Sequence, residues 1–289
     1  MIIDAHHHFW APERGDYHWM SDDVPVLAQP YGPNDLKPHL RKAGVVGTVL
    51  VQAAQTVAET DYLLDIAVRT DFVLGVVGWL DMEADDFAAL LDRYHANPFF
   101  IGLRPMLQDL DDDEWILRPK VLNALKVVAD RDVAFEFLTF PRHLHHAAKA
   151  CARVPGLRAL VDHVSKPPIA TGDLDPWRDD MQAMANIPGM MCKLSGMVTE
   201  AEHAKWRPAD LAPYVDHVWN VFGADRLMFG SDWPVCRLAA EYGEVVNALR
   251  TCLAGKLDGT ATARIFGQNA IDFYRIPQDQ LDRAKAVWS

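Results

Sequence analysis

Eight short apolar runs recur along the chain, and a segment with helical spacing follows most of them. The runs cover residues 1–7, 47–53, 72–80, 99–107, 133–139, 157–164, 190–196 and 227–233. The helical segments cover residues 60–70, 85–96, 119–131, 143–154, 175–187, 211–223 and 240–254. Strands that alternate with helices are typical of a parallel sheet built from βαβ units. Eight such units in about 250 residues predict an α/β fold, a (β/α)8 TIM barrel.

The chain shows no sign of a boundary between domains. No Gly/Ser-rich linker, low-complexity tract or long block of like charge divides its 289 residues, so one domain over residues 1–289 is predicted. The longest stretch without periodicity, residues 9–33, follows the first run and is rich in Trp, Tyr, Pro and Asp. Loops after the strands of such a barrel lie on its active-site face, so this loop is expected to cover the site.

Composition excludes several classes of function. There is no apolar run of membrane-spanning length and no basic segment leading into an apolar one, which argues against a membrane span or a secretory signal. Four cysteines without CxxC spacing are typical of reduced thiols in the cytoplasm. A net charge of −12 argues against nucleic acid as a partner and leaves a small molecule as the expected ligand. A homo-oligomer is left open.

Three consecutive histidines follow the first apolar run. Purification tags usually carry about six, so the sequence MIIDAHHH is interpreted as a strand that begins almost at the first residue. Alternation along a strand puts His6 and His8 on one side and His7 on the other. If this strand lines the barrel, His6 and His8 face its axis and His7 faces the helices. Two convergent imidazoles suit a metal ion or the oxygen atoms of a substrate.

Polar side chains also stand near the ends of the other predicted strands, where such barrels carry their active sites. They are Gln52 after the second run, Trp79 on the third, Arg104 on the fourth, Glu136 on the fifth, His163 with Lys166 after the sixth, Lys193 with Ser195 on the seventh, and Asp232 on the eighth. A barrel that needed only stability would not require a titratable or amide group at nearly every strand end. The pattern therefore indicates an active site.

Four of these residues have the composition of a mononuclear hydrolytic site: His6, His8, His163 and Asp232. Imidazoles and a carboxylate can bind one Zn²⁺ or Mn²⁺ ion and leave a position for water. Without a metal, Asp232 would act as the general base toward water, and the histidines with Arg104 would stabilise the developing oxyanion. Both versions remain open.

The remaining strand-end residues are predicted to bind substrate: Arg104, Gln52, Glu136 and Lys166, with the indoles of Trp10, Trp79 and Trp233. Each has a structural alternative. Arg104 can pair with Glu136 alone. Lys193 is interpreted as a lysine whose stem is buried and whose ammonium reaches water. The histidines can be packed core residues, and Asp232 can cap a helix.

Five segments together resemble a known family. They are HHHFW at 6–10, DYHWM at 16–20, GLRP at 102–105, DHVSKPP at 162–168 and FGSDWPV at 229–235. Here the chain resembles the amidohydrolase superfamily, and within it the sugar-lactonase branch of L-fuconolactonases, L-rhamnonolactonase-like enzymes and pyrone-dicarboxylate lactonases. The resemblance runs from His6 to about Tyr274.

The resemblance implies a (β/α)8 barrel that hydrolyses a lactone to its hydroxy acid. It implies that Asp232 activates water, that His6, His8 and His163 surround the metal or the carbonyl group, and that Arg104 orients the substrate. The binuclear members of the superfamily bridge two metals with a carboxylated lysine or a glutamate and have a second histidine after the sixth strand. Here Glu136 stands on the fifth strand, but no clear histidine pair follows it. That departure favours one divalent metal, zinc before manganese, or none.

Two further functions use the same residues. One is a metal-dependent decarboxylase in which Arg104 holds an aromatic or unsaturated carboxylic acid. The other is a barrel that binds a sugar acid without converting it. The sequence does not decide which lactone is used, nor its ring size and stereochemistry.

Overall fold

The computed structural model of this protein describes residues 1–21 and 23–289; residue 22, in the predicted 9–33 loop, lies outside the described residues. Eight parallel strands form one sheet in chain order. They are β1 (Ile2–His7), β2 (Val45–Val51), β3 (Val73–Gly78), β4 (Phe100–Leu103), β5 (Ala134–Phe137), β6 (Ala159–Val161), β7 (Met191–Leu194) and β8 (Leu227–Phe229). Each predicted apolar run overlaps one strand. The (β/α)8 barrel is therefore confirmed.

Helices separate the strands and surround the barrel. They are α1 (Pro33–Ala43), α2 (Val57–Arg69), α3 (Phe87–His95), α4 (Pro119–Asp130), α5 (Leu144–Arg153), α6 (Trp177–Ala185), α7 (Pro208–Phe222), α8 (Tyr242–Cys252), α9 (Gly259–Ala263), α10 (Asn269–Tyr274) and α11 (Gln278–Ala286). The seven predicted helical segments overlap α2 to α8. The described residues include no helix long and apolar enough to cross a membrane.

Helix α1 was not predicted, although its start carries clear signals. Pro33 occupies the first helical position, where its missing N–H costs nothing. The Asp35 carboxylate accepts a 2.8 Å hydrogen bond from the Gly32 N–H and caps the helix. The helices α10 and α11 were also missed. Phe273, Tyr274 and Leu281 from this end of the chain pack against the residues inside the barrel.

The barrel closes between β8 and β1. Just beyond the end of β8, the Asp232 N–H donates to His6 O at 2.8 Å, and the His8 N–H donates to Trp233 O at 2.7 Å. These two bonds bring the segment that carries Asp232 directly beside the two histidines. Residues far apart in the sequence therefore meet at one rim.

A β-bulge in β1 sets the direction of the three histidines. Ile3 and Ala5 belong to the cluster inside the barrel, so strict alternation would turn His7 inward next. Instead the pairing with β2 shifts between Asp4 and His7, and the extra residue reverses the alternation. His7 Nε2 lies 2.8 Å from Thr48 Oγ1 on the outer face of the sheet. The expectation that His7 faces away from His6 and His8 is confirmed.

Candidate active site

A cavity of about 250 Å³ opens at the carboxyl ends of the strands. It is lined by His8, Trp10, Trp19, Leu27, Ala53, Arg104, Met106, Gln108, Asp109, Leu138, His163, Lys166, Asp232, Val235 and Leu238. A larger groove of about 410 Å³ runs beside α1 and α8 and holds none of the predicted site residues. The chemistry-bearing groups therefore collect in the smaller cavity at the strand ends.

The aromatic wall of this cavity comes from the 9–33 segment. Trp10 and Tyr31 exchange backbone hydrogen bonds of 3.1 and 2.9 Å, which pin the two ends of the loop together. The Trp10 indole donates to Leu27 O at 3.1 Å, and the Trp19 indole donates to Ala53 O at 2.7 Å. Both rings are thus held by their polar edges at the wall of the cavity. The loop forms a pocket wall as expected.

Asp232 and three imidazoles meet at the inner end of the cavity, which we call the cavity floor. The distances to Asp232 Oδ1 are 3.4 Å from His8 Nε2, 3.7 Å from His6 Nε2 and 3.9 Å from His163 Nε2. The Nε2 atoms of His6 and His8 lie 3.1 Å apart. His8, His163 and Asp232 line the cavity, and His6 lies fully buried beneath them.

The carboxylate of Asp232 is ionised at neutral pH. Burial by itself raises the pKa of a carboxyl group, but the neighbouring His163 and His8 outweigh it and hold the pKa of Asp232 below its usual value. Its backbone has φ of 57°, in the left-handed region that non-glycine residues rarely adopt. Such backbone strain is concentrated at functional sites.

A turn after β6 brings two side chains into the barrel where alternation would bring one. His163, Val164, Ser165 and Lys166 all have φ between 47° and 58°. Alternation from Leu160, which lies inside the barrel, points Asp162 inward, 3.1 Å from His6 Nδ1, and the left-handed turn that follows brings His163 to the cavity as well. The glycine after Ser195 makes room: a Cβ atom at Gly196 would lie 2.6 Å from His163 Nδ1.

Three comparisons with known proteins bear on this site. The family model described as amidohydrolase matches residues 3–276. The chain belongs to the amidohydrolase family. It is 43% identical over 285 residues to an L-fucono-1,5-lactonase of Burkholderia ambifaria, covering 97% of this chain and 98% of that protein. It is 33% identical to an L-fucono-1,5-lactonase of Burkholderia multivorans, with 96% of each chain covered.

A solved structure supports the same assignment. An amidohydrolase from Burkholderia multivorans with bound zinc superposes with a TM-score of 0.91 and 32% identity. The superposition covers 96% of this chain and all of that one. The chain therefore shares its fold with that amidohydrolase over nearly its whole length.

The imidazoles of this amidohydrolase hold their protons in defined places. His8 Nδ1 lies 2.8 Å from Val51 O, which can only accept, so His8 carries its proton on Nδ1 and presents a lone pair on Nε2. The Lys193 ammonium lies 3.2 Å from His6 Nδ1 and donates to it. His6 then carries its proton on Nε2 and donates it to His8 Nε2. Burial holds the pKa of His6 well below its usual value, so the ring is neutral.

A second tautomer of His6 suits a metal ion. Asp162 Oδ1 stands 3.1 Å from His6 Nδ1 and has no aligned hydrogen-bond partner among the described residues. A proton moved to Nδ1 would be held there and would free the Nε2 lone pair. The donor atoms of His6, His8 and Asp232 all lie within 4.8 Å of one another. Zinc bonds of about 2.0–2.1 Å place tetrahedral ligands about 3.3–3.4 Å apart, so the donor set fits.

Beneath the cavity floor lies a second group of charges, which we call the ion-pair layer. It consists of Arg104, Glu136, Asp162, Lys193 and Tyr274. Arg104 NH1 donates to Asp162 Oδ2 at 2.8 Å, and Lys193 Nζ donates to Glu136 Oε2 at 2.7 Å. The Tyr274 hydroxyl donates to the other oxygen of Glu136. Every carboxylate of this layer therefore has a cation in contact with it.

Two structural interpretations of the sequence are wrong. Lys193 does not reach water, because its side chain is fully buried and paired with Glu136. Arg104 pairs with Asp162 and not with Glu136. Both errors have one origin, since the partner lies on a different strand and the sequence does not show which charges meet.

Four of the predicted substrate contacts do not line the cavity. Glu136 lies under the cavity floor in the ion-pair layer. Gln52 is fully buried and donates its amide to Arg104 O at 2.8 Å. Trp233 packs edge-on against Phe9 and Tyr31. Trp79 lies outside the cavity and is half-buried. The cavity does receive the other three, which are Trp10, Arg104 and Lys166.

Sequence reasoning missed Asp162, although the residue stands in the quoted DHVSKPP segment. Alternation allows only one of two consecutive residues to face inward, and the left-handed turn that brings in His163 beside Asp162 is not evident from the sequence. Trp19, Met106, Gln108 and Leu138 were also missed. They lie in or next to loops, where no periodic pattern predicts direction.

Proposed function

We propose that this amidohydrolase opens the ring of a small sugar-derived lactone by hydrolysis and releases the hydroxy acid. The observation that carries the proposal is the cavity floor: an ionised carboxylate, Asp232, with imidazole nitrogens 3.4 to 3.9 Å from it at the base of a closed-in cavity. An ester carbonyl needs an activated water and a donor for the oxyanion, and these groups supply both.

We assign the catalytic steps as follows. Water between Asp232 and the substrate attacks the lactone carbonyl while the carboxylate accepts its proton. His163 Nδ1 lies 2.9 Å from Ser195 Oγ, and with that hydroxyl donating, the ring presents Nε2–H to the oxyanion. The tetrahedral intermediate collapses, the ring C–O bond breaks, and Asp232 returns its proton to the leaving alkoxide. His6 and His8 hold this arrangement, and the Arg104 guanidinium contributes positive potential.

We further propose one divalent metal, zinc before manganese, that the reaction can dispense with. His6, His8 and Asp232 would hold it, with His163 beside them. When bound, it would polarise the carbonyl and lower the pKa of the attacking water. The zinc-bound structure of the Burkholderia multivorans amidohydrolase supports this choice.

The cavity walls favour a substrate with one apolar and one polar face. Leu27, Met106 and Leu138 present apolar surface, while Gln108 and Lys166 present hydrogen-bonding groups. A deoxy-sugar lactone has a methyl group and several hydroxyls that match these walls. The two full-length relatives named as L-fucono-1,5-lactonases make L-fucono-1,5-lactone the proposed substrate.

The position of Arg104 favours the lactonase over a decarboxylase. A decarboxylase would need a free guanidinium fork to hold a substrate carboxylate. In this structure NH1 of Arg104 is taken by Asp162 and NH2 by Gln52 O. Only Nε is without a partner among the described residues. That atom is buried, so the arginine is built into the barrel and offers a substrate no two-donor fork.

The cytoplasm is the proposed location. All four cysteines are buried and unbridged, as expected for a protein in a reducing compartment. No nucleic acid or membrane partner is proposed, and the ligand is a small molecule.

A lactone panel tests the function. Acid release from L-fucono-1,5-lactone, its stereoisomers and the corresponding 1,4-lactones is followed with a pH indicator, against a blank without enzyme because such rings also open spontaneously. Each reaction is repeated after chelation and after adding back Zn²⁺ or Mn²⁺. We expect the L-fuco ring to be hydrolysed fastest. Activity that survives chelation assigns the reaction to the protein groups alone; activity restored only by metal assigns ligand roles to the histidines.

The opposite result is equally clear. If no lactone in the panel is opened faster than in the blank under either condition, the proposed function is wrong. Release of carbon dioxide from dihydroxybenzoates by the metal-loaded protein would then favour the decarboxylase.

A further inference from the structure

We propose that Asp4 is a positioning residue that fixes His6 and Asp232 relative to each other from outside the barrel; this rests on the proposed function. Asp4 is fully buried on the outer face of β1 and does not reach the cavity. It therefore acts on the reaction through the backbone alone.

The Asp4 carboxylate accepts three hydrogen bonds. Its Oδ1 accepts from the His6 N–H at 3.2 Å and from the Ser231 N–H at 2.8 Å. Its Oδ2 accepts from the Tyr242 hydroxyl at 2.9 Å. One oxygen thus joins the backbone beside one histidine to the backbone beside the catalytic carboxylate, and the other oxygen is anchored to α8.

One of these hydrogen bonds lies within the β-bulge of β1. The shift in register between Asp4 and His7 is what turns His6 and His8 inward. A bulge disturbs the ladder locally and persists only where other partners hold its backbone. Asp4 Oδ1 holds the His6 N–H from two residues away, inside the bulge itself. The inward direction of both imidazoles depends on this contact.

The strained segment after β8 is also held by hydrogen bonds to β1. Asp232 has a left-handed backbone, a conformation that costs free energy for any residue but glycine. Three bonds hold it: Ser231 N–H to Asp4, the Ser231 hydroxyl to His6 O at 3.3 Å, and the Asp232 N–H to His6 O at 2.8 Å. All three run to residues of β1. Of the three, only the bond from the Ser231 N–H is accepted by an ionisable side chain, that of Asp4.

Three variants separate positioning from simple stability. Asp4→Ala removes the three hydrogen bonds that the Asp4 carboxylate accepts, and we expect kcat to fall by about 10- to 100-fold with KM nearly unchanged, because small displacements of reacting groups cost this much. Asp4→Asn keeps an oxygen for both backbone N–H groups, so most of kcat should return. Tyr242→Phe removes only the Oδ2 bond, so it should lower the unfolding temperature and leave kcat near wild type.

Two outcomes overturn the proposal. One is a folded Asp4→Ala protein with wild-type kcat. The other is a Tyr242→Phe protein that loses as much kcat as Asp4→Ala, which would make the effect one of stability. If Asp4→Ala does not fold, Asp4→Asn decides: most of kcat retained supports the proposal, and a loss beyond about tenfold contradicts it.

Crystal structures give a readout that does not need activity. We expect the distances from Asp232 Oδ1 to His8 Nε2 and His6 Nε2, 3.4 and 3.7 Å here, to change in Asp4→Ala. Unchanged distances contradict the positioning role. A wild-type protein that opens no lactone would refute the proposed function, and this comparison would still decide the role of Asp4.

Discussion

Two groups of charged side chains lie one above the other inside the barrel and differ in how they are paired. In the ion-pair layer, the two cations lie 2.8 and 2.7 Å from their carboxylate partners, and every member is almost fully buried. On the cavity floor, no contact between Asp232 and an imidazole nitrogen is shorter than 3.4 Å, and His8, His163 and Asp232 line the cavity. The residue types are similar, but only the cavity floor has bonding capacity left for a substrate.

This difference in pairing separates the cavity floor, which can act on a substrate, from the ion-pair layer, which supports it. A buried charge without a partner is costly, so each charge of the ion-pair layer is compensated within the protein. The cavity floor leaves Asp232 with loosely placed neighbours, an arrangement that a substrate, a water or a metal ion completes. Substitutions in the two groups should therefore fail in different ways: activity should fail first on the cavity floor, and folding should fail first in the ion-pair layer.

The largest effect is expected for Asp232→Asn. The amide has nearly the same shape but cannot accept the proton of the attacking water. We expect kcat for lactone opening to fall by about 10²–10⁴-fold, the range attributed to general acid–base catalysis. The free energy of unfolding should change little. The measurement is the initial rate with the preferred lactone of the panel, beside a urea unfolding curve.

Asp109→Asn is the matched control for this substitution. Asp109 also lines the cavity, but it is exposed and stands at the outer rim. Its substitution should leave kcat within a factor of about two, since exposed surface groups contribute little. Equal losses in the two variants would show that the charge of the cavity matters and not the base at position 232.

In the ion-pair layer, Lys193→Met should break the fold and not the chemistry alone. The variant leaves the Glu136 carboxylate buried with only the Tyr274 hydroxyl in contact. Removing one partner of a buried ion pair typically costs about 3–5 kcal/mol of unfolding free energy. Urea unfolding monitored by circular dichroism measures this. The double variant Lys193→Met with Glu136→Gln should recover much of the loss, because the uncompensated charge is gone.

Lys166→Met provides the contrast at the rim. Lys166 is half-buried and lies 4.0 Å from Glu200. A loose ion pair of this kind contributes about 0–1 kcal/mol, so stability should hardly change. If Lys193→Met were as stable as Lys166→Met, the ion-pair layer would not be a stabilising element at all.

An intermediate effect is expected where a hydroxyl supports the cavity floor. Ser195 Oγ lies 2.9 Å from His163 Nδ1 and sets the tautomer of that ring. Loss of such a supporting bond typically costs about 10–100-fold, so Ser195→Ala should lower kcat by about tenfold. Thr139→Val is the control, since Thr139 follows β5 and its Oγ1 bonds Ser165 Oγ at 2.8 Å, which supports the turn that carries His163 and not the His163 ring. Similar losses in both would point to the turn and not to the tautomer.

The fold and the centre of the site followed from the sequence because they depend on coarse features. Eight apolar runs give eight strands whatever their precise ends, and the ends of parallel strands converge on one rim. That is why His8, His163 and Asp232 meet although strand boundaries differ by several residues from those expected. The direction of His6 and His8 was also right, but a bulge at Asp4–His7 produces it, and alternation alone does not reveal a bulge.

The rest depends on partners that the sequence does not pair. Lys193 and Glu136 are 57 positions apart, and nothing local shows that they meet in the interior. Alternation from Leu160 turns Asp162 inward, and the left-handed residues after it bring His163 to the same side, which the sequence does not show. Gln52 and Trp233 stand next to site residues in sequence yet point under or behind them. Strand position predicted which residues are near the site, and side-chain direction decided which of them reach it.

The smallest effect concerns His7, the histidine that neither group uses. Its ring is fully buried on the outer face, and burial lowers its pKa from 6.5 to about 3. Between these values the unfolded chain binds a proton at His7 that the folded chain does not bind. The free energy of unfolding therefore falls as the pH drops below 6.5, by up to about 1.4 kcal/mol per pH unit for this group.

Urea unfolding between pH 7 and pH 5 tests this against two variants. His7→Gln keeps a hydrogen bond toward Thr48 and removes the titrating ring. Its free energy of unfolding should therefore fall less steeply with falling pH than that of the wild type, because unfolding then takes up close to one proton fewer. His95→Gln, at an exposed position on α3, is the control for replacing a histidine outside the core. Identical slopes in all three proteins would mean that His7 is protonated in the folded chain. That result would contradict the buried position that the bulge gives His7 on the outer face. The separation of His7 from the two histidines of the cavity floor would then be wrong.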